Sequence, residues 1–323
     1  MSDAIAWPGG ARFAVAIVDD TDRTTLANGP LVYDLLTEHG IVATKTVWML
    51  DAPGGGRTGG ASCADPAYLR WVLELQGAGH EVGFHGARDG TADRAATLEA
   101  LDAFRQAFGH DPRIGADHSG SAQALHWGPA RLSGARARAY GAATRVLWQD
   151  DLHFDGDDPA SPRYWGDLCR DRIRYWRNFT FRTSNVLDVV PWGAYRDPER
   201  PSAARWYAAT EAPHLRPFLR AIAPDRLDRV EASGGACLLY THFGTDFVRD
   251  GAVDHRFVDA VAHLADRPAW FAPASTVLDH LVAVGGLHTI TDAERRHLER
   301  RWIRDHLVDR LERAARRARR TDR

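Results

Sequence analysis

The chain has 323 residues, a formal net charge of −2, and 44% hydrophobic and 26% charged residues. These are the proportions of a soluble globular protein, and the length allows one large α/β barrel or two ordinary domains. The near-neutral charge excludes a general electrostatic pull toward nucleic acid or an anionic membrane, and no apolar run is long enough to span a bilayer.

Three cysteines, Cys63, Cys169 and Cys237, form no CxxC spacing and argue against a disulfide framework or a zinc-thiolate site. The first ten residues lack both a basic region and a long apolar core, so no secretory signal is read and a cytoplasmic location is expected. Lys45 is the single lysine among many arginines.

In chain order, Arg12 to Val18 is a strand-like run that stops at the acidic cluster Asp19-Asp20-Thr21-Asp22. A helical pattern follows around Leu31 to Leu36 and closes near Gly40, and Ile41 to Leu50 reads as a second strand. Pro53 to Gly60 is a glycine-rich loop without the Gly-Lys-Ser/Thr ending of a phosphate loop. Pro66 to Gly77 is an amphipathic helix, His80 to Phe84 a strand, and Ala92 to Phe108 a helix. Arg113 to Ala116, Arg145 to Trp148, Leu187 to Val190 and Ala236 to Tyr240 are candidate strands. Val253 to Leu264 is a helix, and Trp270 to Ala272 is a last strand before a helix over Ser275 to Val284. Strands alternating with helices predict parallel pairing in a barrel or doubly wound sheet, with chemistry at the C-terminal strand ends.

From Thr291 the pattern changes. Thr291-Asp292-Ala293-Glu294 has the form of a capping box, and Leu298, Trp302, Leu307 and Leu311 make a helical stripe among arginines. The expected division is a barrel domain over residues 1–290 and an arginine-rich amphipathic helix over 291–323. That helix packs on the barrel or on a second subunit, which makes a homo-oligomer a possible partner arrangement.

Four strand ends carry residues suited to acid/base or metal chemistry. Beyond the first strand stand three carboxylates, able to act as a hard metal ligand and as a base near a metal-bound water. His85 ends the strand of Gly79-His80-Glu81-Val82-Gly83-Phe84-His85, whereas His80 begins it, at the opposite end, and reads as structural. Asp89 lies four residues past His85, and the two would face one point if Gly86 to Asp89 turned helically. Asp117-His118 ends another strand, with His118 a candidate ligand and Asp117 an orienting group or a second ligand. Tyr240-Thr241-His242 delivers a histidine able to protonate a leaving group.

This order of motifs resembles the polysaccharide deacetylase family (carbohydrate esterase family four), whose members are metal-dependent N- and O-deacetylases on a distorted (β/α) barrel. The resemblance runs from Arg12 to Val284 and rests on Asp19-Asp20, on Gly79 to His85 and on Leu239-Tyr240-Thr241-His242. It implies Asp19 as general base, Asp20 and His85 as metal ligands, and His242 as general acid. Where the family has its second metal histidine this chain has Asp89, and its Arg-x-Pro-x-Gly segment is replaced near Ala116 to Gly120, where His118 stands. The third ligand is therefore expected from Asp89 or His118, around a divalent metal, zinc first, with manganese, cobalt or iron as alternatives. The aromatic-rich insert from Trp148 to Trp206 is read as suited to sugar stacking or to core packing.

The leading expectation is removal of an acyl group, N-acetyl first, from a sugar or glycoconjugate substrate. Two rivals are a cyclic amide or ureide hydrolase on the same fold, and a non-catalytic glycan-binding protein that has lost its metal.

Overall fold

The computed structural model describes residues 5–148 and 153–321. The first strand, β1 (Phe13–Asp19), is buried along its whole length, as expected of a central strand in a parallel sheet covered on both faces. It leads through α1 (Gly29–Glu38) to β2 (Thr44–Val47), through α2 (Pro66–Gly77) to β3 (Glu81–Phe84), and through α3 (Arg94–Phe108) to the two-residue β4 (Ile114–Gly115). A 3-10 turn (Gly128–Arg131), α4 (Gly134–Trp148) and α5 (Gly166–Arg172) then precede β5 (Tyr175–Phe181). After the short β6 (Ala194–Arg196) come β7 (Trp206–Glu211), α6 (Leu215–Ala221), α7 (Pro224–Ala232) and β8 (Ala236–Thr241), and then the helices α8 (Phe243–Asp246), α9 (His255–Ala265) and α10 (Ala274–Gly285).

Strands β1, β2, β3, β4, β5, β7 and β8 pair in parallel in that order, and β8 returns to β1, closing a seven-strand barrel. This is the expected (β/α) barrel. Its closure is irregular. β7 meets β8 only at Thr210 and Glu211, and the first half of β7 pairs antiparallel with β6 instead. On the other side β2 meets β1 only at Val18 and Asp19, below which lies a late strand over Ala269–Phe271. The C-terminal strand ends share one rim, and the residues that follow them build the site.

Helix α2 begins at Pro66 behind an Asp65 cap and ends where the sequence places it, and α3 is stopped by Gly109 in the left-handed region (φ 80°). His80 packs beneath the barrel wall: its Nδ1 accepts from the Ala43 amide at 2.9 Å and its Nε2 lies 3.2 Å from the Thr37 hydroxyl. Two expected strands are not strands. Arg145 to Trp148 closes the helix α4, whose alanines and arginines have high helix propensity. Leu187 to Val190 enters a 3-10 turn over Val186–Asp188, because the Asn185 side chain accepts from the Leu187 amide and caps it.

Two real strands, β5 and β7, lie in or beside the segment read as an aromatic insert. Tyr175, Trp176, Phe179 and Trp165 are all at most 1% exposed, so these rings build the barrel wall and offer no sugar-stacking face.

The C-terminal helix α11 (Asp292–Thr321) starts with the capping box, the Glu294 carboxylate accepting from the Thr291 amide at 2.8 Å. Leu298 and Trp302 are buried, whereas Leu307 and Leu311 are exposed at 44% and 70%. Glu299, fully buried, pairs with Arg200 at 3.1 Å and Arg136 at 2.8 Å. No helix among the described residues is long and apolar enough to cross a membrane.

Candidate metal centre

The chain leaving β1 turns sharply at residues 21–24, where the Thr24 amide donates to the Thr21 carbonyl at 3.0 Å and Arg23 takes a positive φ of 60°. A non-glycine residue held there is strained, and close packing keeps it so. Gly244, two residues past His242, lies so near the Arg23–Thr24 backbone that a Cβ would collide with it. The turn aims Asp22 back over the rim.

Three side chains from three strand ends meet there. Asp22, His85 and His118 each offer a ligand atom, all within 4.8 Å of one another, and all three are buried. Asp22 Oδ1 is 2.9 Å from His118 Nδ1, and its Oδ2 is 3.8 Å from His85 Nε2. None of the four ring nitrogens of His85 and His118 has a hydrogen-bonded partner: the carboxylate oxygens near His118 lie off its N–H directions, and those near His85 are 3.8 and 3.9 Å away. Buried polar atoms without partners are costly, and two imidazoles with a carboxylate suit a borderline divalent cation. The donor set therefore fits the metal that the sequence implied. Trp48 walls the centre, its indole 5.2 Å from the His118 ring and its Nε1 donating to the His85 carbonyl at 3.0 Å.

The remaining candidates stand around this trio. Asp89 reaches His118 Nε2 with Oδ1 at 2.9 Å, while its Oδ2 accepts from the Thr58 and Gly59 amides, both at 2.8 Å. Residues 86–89 form bends instead of the helical turn considered from sequence, so Asp89 arrives behind His118 and not alongside His85. Its Oδ1 makes no hydrogen bond with the ring. Asp20 lies 3.9 Å from His85 Nδ1 and is gripped through both oxygens by the Arg177 guanidinium from β5. Burial pushes the Asp20 pKa up, but Arg177 outweighs it and holds the carboxyl below its usual value.

Asp19 is fully buried and saturated. Its Oδ2 accepts from Lys45 Nζ at 2.8 Å and Tyr33 Oη at 3.2 Å, and its Oδ1 accepts from the Phe243 amide at 2.8 Å. Burial outweighs these partners and raises its pKa. The sole lysine of the chain is thus an internal counter-ion that ties β2 to β1 and, through Asp19, to the segment after His242. Asp117 is likewise committed, to the Leu125 amide and the Trp176 indole at 2.9 Å each, and burial pushes it up to about 7.

His242 completes the ring of groups. Its Nδ1 donates to the Pro213 carbonyl at 2.9 Å, and its Nε2 lies 2.8 Å from Asp22 Oδ2 and 3.2 Å from Tyr240 Oη. Burial lowers its pKa, but Asp22 and Asp20 outweigh that, so the imidazole stays protonated above the usual histidine range. Asp22 is pushed up by burial and brought well below the usual carboxylate value by its three histidines.

Sequence reasoning named His85, His118 and His242, and the fold brings them together. It quoted Asp22 without assigning it a role and missed Arg177 and Lys45. The available signal was alternation at the end of β1, which sends Asp19 and Asp20 to opposite sides, whereas Asp22 is placed by the turn at residues 21–24.

Fold and site together define a parallel α/β-barrel protein with a buried Asp/His metal-type centre at the C-terminal rim of the barrel. No protein-family model matches the chain, and no curated protein does. Among solved structures it is similar to a Mycobacterium smegmatis protein assigned as a polysaccharide deacetylase (15% identity, 89% of this chain and 96% of that chain, TM-score 0.49). It is also similar to an allantoinase, Puue (13% identity, 88% and 95%, TM-score 0.49), and to the peptidoglycan deacetylase PdaC from Bacillus subtilis (14% identity, 90% and 97%, TM-score 0.38).

Proposed function

We propose that this chain is a metal-dependent hydrolase that removes an acyl group, N-acetyl first, from a small sugar or glycoconjugate. The observation that carries the reading is the buried Asp22–His85–His118 trio with four unpartnered ring nitrogens, flanked by an acid and a base. A divalent cation, zinc first, held by these three would polarise the scissile carbonyl and acidify a water. Both carboxylates after β1, Asp19 and Asp20, are engaged through both oxygens, and we assign the general base to Asp20, because it lies 3.9 Å from His85, whereas Asp19 is held in the barrel wall by Lys45. His242, its Nδ1 donating to the Pro213 carbonyl and its Nε2 turned to Asp22, is the group that donates a proton from Nε2 to the leaving nitrogen. Asp19 positions: through the Phe243 amide it fixes the backbone that carries His242.

One observation favours a second substrate class. Trp165, Tyr175, Trp176 and Phe179 of the aromatic insert are in the core, so a compact cyclic amide or ureide fits the same chemistry. Both classes suit a reducing, cytoplasmic setting, consistent with three buried free cysteines.

The test is metal analysis of chelator-free protein, followed by assays of acetate release from N-acetylated amino sugars and of ring opening of cyclic imides. Activity lost to chelator and restored by zinc is expected. His242→Ala lowers turnover roughly 10²–10⁴-fold with metal retained, whereas Asp22→Asn loses the metal. Protein that neither contains nor takes up a transition metal overturns the reading and leaves a non-catalytic binding protein.

A further inference from the structure

Four arginines are buried among the described residues: Arg131, Arg177, Arg200 and Arg295. Three of them have carboxylate partners. Arg177 pairs with Asp20, Arg200 with Asp197 and Glu299, and Arg295 with Asp197 and Asp292. Arg131 has none among the described residues.

Its guanidinium lies flat over the Trp127 ring, 3.6 Å from the centroid, with the Trp302 ring of α11 at 5.4 Å. Its Nε is sealed from solvent and bonds to nothing. Indole faces attract a cation, but they do not satisfy its N–H groups. A buried guanidinium whose Nε–H is left without an acceptor is destabilising unless an anion reaches it. Burial accordingly pulls Arg131 down to about 10.

The acid that acts on it most strongly, Asp117, has both oxygens committed to the Leu125 amide and the Trp176 indole. Asp117 precedes His118 of the metal-type trio. Arg177, the partner of Asp20, is the next charge acting on Arg131. Arg131 stands on the loop that follows β4, the strand whose C-terminal end carries His118 of the trio.

We infer that Arg131 is the anchor for an anionic group, a carboxylate or a phosphate, carried by the substrate. The proposal rests on the hydrolase reading for the identity of the ligand as substrate, and it narrows that substrate to an acylated or cyclic-amide compound bearing an acidic group. Arginine is suited to both anions because its planar fork offers parallel donors. Arg131 touches no reacting atom and acts by uniform binding, so its loss belongs in KM and not in kcat.

The experiment uses the full chain, with and without chelator, and isothermal titration with inorganic phosphate, D-glucuronate and neutral D-glucose. Wild-type protein binds one of the two anions and not glucose, and chelator leaves that binding in place. Arg131→Met, which keeps the stem that packs on Trp127, weakens it about 10- to 100-fold while the melting temperature holds or rises. With a turned-over acidic substrate the same variant raises KM, leaves kcat unchanged and spares neutral substrates. Equal anion binding by Arg131→Met, or none by wild type, overturns the proposal. So does a clear fall in melting temperature, which would make Arg131 a structural cation. Anion binding that depends on Arg131, in a protein that hydrolyses neither substrate class, leaves the anion site standing and removes the hydrolase reading alone.

Discussion

Asp19 and Asp20 are neighbours in sequence with the same side chain, and the structure gives each a different cation. Asp19 meets Lys45 in the barrel wall, and Asp20 meets Arg177 inside the rim. The second pair is fully buried, so breaking it from one side leaves an uncompensated charge. Arg177→Met should destabilise the fold by about 3–5 kcal/mol, and adding Asp20→Asn should recover a large part of that loss. Chemical denaturation of the two single variants and the double variant gives the coupling, and an Arg177→Met protein as stable as wild type would show that Asp20 needs no counter-ion.

At the scale of elements, the site depends on the turn after β1 and the segment after β8 fitting against each other. Gly244→Ala places a methyl group on the Arg23–Thr24 backbone. A cost of about 1–3 kcal/mol is expected, with weaker metal affinity because the same turn carries Asp22; thermal unfolding and metal titration read the two effects. His80 joins α1, β2 and β3 as a neutral ring and is held down at about 4 by burial. The sign follows from proton uptake. Above its unfolded value of 6.5 both states are neutral and the full stability is present. Between 6.5 and 4 the unfolded chain binds a proton that the folded chain refuses, so stability falls with pH by up to about 3 kcal/mol. Urea unfolding of His80→Gln should show a flatter dependence across that window, and an unchanged slope would assign the effect to other groups.

For the whole molecule, we propose that the first half of α11 belongs to the barrel's packing unit, with Glu299 and Trp302 filling the outer face of β5 and the Arg200 pocket. Trp302→Ala should cost about 3–5 kcal/mol, and Leu311→Ala should stay within about 0.5 kcal/mol, as measured by melting of the full chain. Equal effects at the two positions would mean that the exposed end is also covered in solution.

The amino-acid sequence by itself determined the alternation of strands and helices, the cap of α2, the capping box of α11 and the polar clusters at four strand ends. Those features are local: period, caps and abrupt apolar-to-polar boundaries are written in neighbouring residues. β5 was hidden because its inward Arg177 breaks the apolar run, and that arginine is tolerable only where Asp20, 157 positions away, supplies the opposite charge. The same reason hid the division of labour in Asp19-Asp20-Thr21-Asp22. Which carboxylate meets a lysine, which an arginine and which three histidines depends on groups from β2, β3, β4, β5 and β8, and only closing the barrel brings those strands to one rim.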